Sequence, residues 1–243
     1  MSTTNEIEPQ KNDFFPPEEL YSDEPQFESD FHLHQIMCLP GSLKLLWEDR
    51  NDFYATSNLT IYYSSRQPPS TEFPVPDFFV VLGAEKRNRN SWIVYHENGK
   101  YPNVIIELLS KETIALDKGL KKQVYQDIFR TPEYFWFDPY SLEFAGFTLI
   151  SGIYQPLEPN SQGWLWSQQL NLFLGVHQNQ LRYFTPEGEL VLTSLEQIEK
   201  YRRITEQKQK EFQKYHQIAE QSKQELNRII TGIKKLGIDP DAI

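Results

Sequence analysis

The run Val104-Ile105-Ile106-Glu107-Leu108-Leu109 constrains the fold more than any other stretch of this chain. It is short and apolar at both odd and even positions, the pattern of a strand covered on both faces. Such a strand needs a layered fold, with a sheet packed between other elements. Glu107 then lies inside the protein, where an unpaired carboxylate costs several kcal/mol or takes up a proton. A basic partner or a bound cation removes that cost. On this residue alone, a buried salt bridge and a metal site serve equally well.

The neighbouring segments supply the layers. Leu59–Tyr63 and Phe78–Leu82 read as further central strands, and shorter strands are expected around 134–137, 143–150, 154–156, 170–174 and 181–184. Ser110 and Thr113 precede a helical stretch from Thr113 to Arg130, which Thr131-Pro132 stops. Upstream, Phe31, Ile36, Leu39, Leu43 and Trp47 predict a helix over 28–47 that Pro40-Gly41 kinks or splits. The order helix, strands, helix, strands predicts an α/β (α+β) fold: a mixed sheet flanked by helices.

Four regions are expected. Residues 1–26 are an acidic tail without periodicity, 27–190 the folded domain, 194–236 a long helix and 237–243 a short tail. Between Ser194 and Leu236 there is no proline and a single glycine, and Phe212, Tyr215, Ala219, Ser222, Leu226, Ile229, Ile233 and Leu236 alternate at steps of three and four. That is coiled-coil spacing, so the stripe either pairs with another copy or packs on its own domain.

Charge and cysteine content bound the function. Residues 1–30 hold nine acids against Lys11 alone, so the net charge of -10 leaves a nearly neutral body. A nearly neutral body argues against tight non-specific nucleic-acid binding without excluding a nucleic-acid partner. Cys38 is the only cysteine, which excludes an intrachain disulfide and multi-thiolate zinc sites. With no apolar run long enough to span a bilayer and no apolar leader, a cytoplasmic protein without membrane contact is expected.

Three residues suggest chemistry. Asp77 follows Pro76 at the entry to an apolar strand, where its carboxylate would be fixed in place; alone, such a dipeptide is usually an ordinary turn. On the predicted helix, Ile114, Val124, Tyr125 and Ile128 share one face, with Lys121 near its middle and Asp117 one turn before it. A lysine there either snorkels to water or joins Glu107 on the strand beneath. Two carboxylates and a lysine suit metal-assisted phosphodiester hydrolysis: oxygen ligands hold Mg²⁺ or Mn²⁺, and an ammonium offsets charge developing on the phosphate.

The segments PDFFVVL (76–82), VIIELLS (104–110) and DKGLKKQVYQDIFRTPEYFWFDP (117–139), with GFTL and YQPLEP downstream, resemble a restriction-endonuclease-like family of the PD-(D/E)xK superfamily. The resemblance covers most of residues 28–185, and the charged helix ending in LGIDPD is similar to the tail of many members. It implies that Asp77 and Glu107 hold the metal and that Glu28, near His32, is an accessory acid. The superfamily's lysine would stand at 109, which is leucine here, and the resemblance implies its displacement to Lys121. Asp117, Tyr125 and His32 are expected in support.

Lys86, Arg87 and Arg89 form a candidate phosphate-contacting loop, although charged loops are more often merely solvated. The expected activity is a Mg²⁺- or Mn²⁺-dependent endonuclease acting on DNA as a homodimer, with no small-molecule cofactor. RNA and branched or damaged DNA are alternative substrates for the same chemistry. The competing expectation is a nuclease-fold scaffold that binds without cleaving and recruits partners through its C-terminal helix.

Overall fold

The computed structural model describes residues 29–63, 75–110 and 113–235, so Glu28, Leu236 and the expected tails at 1–26 and 237–243 lie outside the described residues. Helix α1 (Asp30–Leu46) starts at Ser29, whose hydroxyl accepts from the His32 amide at 3.1 Å. Pro40 neither splits nor ends it. Proline has no N–H to offer the Ile36 carbonyl, and the Ser57 hydroxyl donates to that carbonyl instead, at 2.9 Å. A long-range bond thus replaces the missing helical one.

The strands are β1 (Phe53–Ser57), β2 (Ile61–Tyr62), β3 (Phe78–Leu82), β4 (Trp92–Ile93), β5 (Val104–Leu108), β6 (Glu133–Phe137), β7 (Phe144–Ile150), β8 (Ile153–Pro156), β9 (Leu165–Ser167), β10 (Leu172–His177) and β11 (Gln180–Phe184). Six of them form a mixed sheet in the order β1-β3-β5-β6-β7-β8. Its one parallel pair is β5–β6, joined by a helical crossover. Strands β9, β10 and β11 make a second, antiparallel sheet.

One expectation fails here: Leu59–Tyr63 is not a central strand. Its core, β2, pairs with β4 in a separate two-stranded sheet, while β1 takes the place beside β3. Asn58, in the left-handed region at φ 46, turns the chain out of the main sheet between the two.

Alternation along β5 divides the core. Val104, Ile106 and Leu108 face α1 and the second sheet, whereas Ile105 and Leu109 face Val124, Tyr125 and Phe129 from the crossover. Glu133 ties the first of these layers together. It is buried and accepts from the Ser167 hydroxyl and from the amides of Gln168 and Gln169, at 2.7 and 3.3 Å. On the outer face of the second sheet, Gly175 leaves room for the Trp164 ring; a Cβ there would clash with it.

From Ile114 to Asp127 the crossover is helical but not uniformly α. A short turn α2 (Ile114–Leu116) runs into a π-helical turn at Asp117–Lys121 and then α3 (Lys122–Asp127). The buried residues are Asp117, Lys121, Val124, Tyr125 and Phe129, of which Asp117, Lys121, Tyr125 and Phe129 stand four apart where an α-helix has 3.6 per turn. Ile114, before the wide turn, and Ile128, at the C-cap of α3 where the Phe129 amide reaches back to the Val124 carbonyl, are expected on the buried side with Val124 and Tyr125 but are 36% and 45% exposed.

The chain divides into two compact units after Thr193. The second contains one helix, α4 (Ser194–Lys235), of 42 residues. Among the described residues, no helix is long and apolar enough to cross a membrane.

Candidate active site

Asp77 and Glu107 meet because β3 and β5 are antiparallel neighbours. Phe78 pairs with Ile106, so one step further along the ladder Asp77 stands opposite Glu107. The Asp77 amide donates to Glu107 Oε2 at 3.3 Å, and the Leu108 amide donates to Asp77 Oδ2 at 2.7 Å. From α1, His32 Nε2 lies 3.1 Å from Asp77 Oδ1. Helix and strands therefore fix the Asp77 carboxylate from two sides.

Glu107 is fully buried on the face that the crossover covers. Tyr125 donates its hydroxyl to Oε1 at 2.6 Å, and Lys121 Nζ donates to Oε2 at 3.1 Å. Lys121 also pairs with Asp117 Oδ1 at 2.9 Å, one turn earlier, and donates to the Val75 carbonyl at 3.3 Å. Its ammonium does not snorkel to water: the side chain is 9% exposed.

The electrostatics follow from three acids around one lysine. Burial, reinforced by the charges of Asp77 and Asp117, pushes the Glu107 carboxyl well above the usual range against the opposing pull of Lys121 and Tyr125. Burial also raises Asp117, with Lys121 opposing. For Asp77, burial works upward, but the His32 hydrogen bond, the Lys121 charge and the Leu108 amide together hold it below the usual range. Burial would lower Lys121, and the carboxylates outweigh it, so the ammonium stays charged.

Of the residues singled out by sequence, the structure brings Asp77, Glu107, Lys121, Asp117, Tyr125 and His32 together. Lys86, Arg87 and Arg89 are not in this group; they follow β3 at the end away from Asp77. Arg89 forms a 2.6 Å ion pair with Glu97 and stacks over Tyr54 and Trp92, and Arg87 also pairs with Glu97. Sequence reasoning missed Tyr134, which donates its hydroxyl to the Asp117 carbonyl at 2.8 Å. The available signal was a tyrosine inside the apolar run Glu133–Phe137, because a buried phenol needs an acceptor.

Among the described residues, no three His, Cys, Asp or Glu side chains form a ready cage for a metal ion. The carboxylates of Asp77 and Glu107 are oxygen donors of the kind a hard dication takes; Glu107 and Asp117 are buried, the Asp77 side chain is 14% exposed, and all three act on the Lys121 ammonium.

The family model Uma2, described as "Putative restriction endonuclease", matches residues 28–178. A solved structure described as a "putative nuclease belonging to DUF820" from Anabaena variabilis ATCC 29413 is 13% identical, with a TM-score of 0.44 over 60% of this chain and 76% of that chain. No curated protein matches the sequence.

Proposed function

The chain belongs to the Uma2 family, described as putative restriction endonucleases, and from that premise we propose that it is a metal-dependent endonuclease hydrolysing DNA phosphodiester bonds at Asp77, Glu107 and Lys121. The observation that carries the reading is the opposition of Asp77 and Glu107 across β3 and β5 beneath the Lys121 ammonium. Membership also bears on the broader expectation of a nucleic-acid substrate and a divalent metal, since nucleases of this kind generally use one.

In this reading Asp77 and Glu107 hold Mg²⁺ or Mn²⁺. The chemistry such a cation supplies is polarisation of the phosphate and acidification of water. The chain's own residues do the rest. His32 and the Leu108 amide keep Asp77 ionised and oriented. Tyr125 pins one Glu107 oxygen and leaves the other beside Lys121. Lys121, steadied by Asp117, presents fixed positive charge to the negative charge that develops on the phosphate.

A specific observation favours the competing reading, a scaffold that binds without cleaving. Each carboxylate oxygen of Asp77 and Glu107 already has a protein partner: His32, Leu108, Tyr125 or Lys121. Cleavage of supercoiled and single-stranded DNA with Mg²⁺, Mn²⁺ or EDTA decides between them. Metal-dependent nicking by the wild type, lost in Lys121→Ala, is expected; no nicking, or equal nicking by both, selects the scaffold.

For the second unit, the reading is that α4 joins two copies along the stripe from Phe212 to Ile233, so that two active centres serve two strands. Sedimentation of the full chain as a dimer, reverting to monomer in Leu226→Glu/Ile229→Glu, is expected. A monomeric wild type would rule out the pairing.

A further inference from the structure

The widened turn at Asp117–Lys121 raises a question that the site alone does not answer: what keeps it wide? π-helical turns are rare, and they recur where a side chain must be placed differently from its α-helical position. Here the turn carries both Asp117 and Lys121, and both are buried. The Asp117 carbonyl within it accepts from the Tyr134 hydroxyl at 2.8 Å.

Tyr134 is well suited to set that position. It stands in β6, beside β5 in parallel register, with Ile105 opposite, so it is anchored to the strand that carries Glu107 two residues on. Its ring is fully buried and packs against Tyr125, Phe147 and Tyr154 at centroid distances of 5.5, 6.1 and 5.9 Å. A hydroxyl on a side chain this constrained has almost no freedom. The bond therefore ties the helical turn to the sheet at the level of the site. Tyr125, one turn beyond Lys121, makes the other tie through Glu107 Oε1.

We propose that Tyr134 is a positioning residue of the active centre, whose hydroxyl, by holding the Asp117 carbonyl in the widened turn, sets where the Lys121 ammonium sits over Glu107. This rests on the nuclease reading for its consequence, but not for its geometry. Tyr134 acts through the turn, by way of the Asp117 carbonyl.

Tyr154 supplies the control. It lies in the same aromatic group and also donates its hydroxyl to a backbone carbonyl, that of Thr131 at 2.9 Å, which lies beyond α3 and outside the turn. Tyr134→Phe and Tyr154→Phe each remove one buried hydroxyl and keep the ring.

The test is made on the full chain, with ¹H–¹⁵N spectra of the Lys121 ammonium and its hydrogen-exchange rate read for wild type and both variants. Tyr134→Phe is expected to shift the ammonium signal and speed its exchange about tenfold or more, with Tyr154→Phe leaving both unchanged. In a cleavage assay, Tyr134→Phe is expected to lower kcat roughly tenfold to a hundredfold at unchanged KM. An unmoved Lys121 signal in Tyr134→Phe, or an equal change in Tyr154→Phe, overturns the proposal. If the Lys121 signal responds as expected but the wild type cleaves nothing, the nuclease reading fails while the positioning stands. Should Tyr134→Phe not fold, the wild type decides: a slowly exchanging Tyr134 hydroxyl proton close to the amides of 118–122 supports the tie, and a freely exchanging one refutes it.

Discussion

Replacing Lys121 with alanine removes an ammonium held between two buried carboxylates, at 3.1 Å from Glu107 and 2.9 Å from Asp117. At an effective dielectric of about 20, each attraction is worth about 5 kcal/mol. Part of that is offset, because the variant no longer has to bury an ammonium. The net loss for one partner removed from a buried pair is about 3–5 kcal/mol. For a domain of this size that corresponds to a Tm lower by roughly 6–20 °C.

The loss should depend on pH, with a definite sign. Glu107 and Asp117 are raised in the folded protein, chiefly by burial, so between their unfolded values, 4.5 and 3.8, and their raised folded values the folded state holds more protons than the unfolded one. Stability falls as pH rises through that window. Without Lys121 both groups rise further and the window extends upward. The deficit is therefore larger at pH 8 than at pH 5, since lowering the pH drives both carboxyls toward their neutral forms. Urea unfolding of wild type and variant at both pH values, followed by the fluorescence of the five tryptophans, measures it. A deficit below about 1 kcal/mol, as for a solvent-screened pair, or one equal at both pH values, would refute the charge balance described for this site.

Substitutions at three further positions test the fold by the same unfolding measurement. Glu133→Ala strips an acceptor from two backbone amides and the Ser167 hydroxyl and is expected to cost about 3 kcal/mol, with Glu133→Gln recovering part. Gly175→Ala drives a methyl into the Trp164 ring; a loss of about 1–3 kcal/mol and a changed near-UV tryptophan signal should follow. Ser57→Ala leaves the Ile36 carbonyl without its donor beside Pro40, and about 1 kcal/mol is expected, whereas no change would mean that the bond does not support the helix.

Periodicity and chemistry in the sequence pointed to most of the side chains that the structure gathers around Glu107. Glu107 was legible because a carboxylate in a doubly apolar strand demands a partner, and Lys121 because a lysine inside an apolar helical stripe demands one too. Their spacing along the chain, strand then covering helix, implied that the two could meet. Local signals also marked β3, β5, β6 and the single long helix α4, where proline is absent and helix formers dominate.

Tertiary structure alone decided the rest, because those features depend on residues distant in sequence. Asp77 opposes Glu107 only through the register of β3 on β5, which neither strand encodes by itself. Pro40 remains inside α1 because Ser57, on another element, supplies the bond that proline cannot. Leu59–Tyr63 has the composition of a central strand but lost that place to β1, since a turn at Asn58 carries it to β4. The π turn at Asp117–Lys121 sets the buried face of the crossover on Asp117 and Lys121, and no local propensity announces it. Its tie is the hydroxyl of Tyr134, 17 residues beyond the Asp117 carbonyl that it holds.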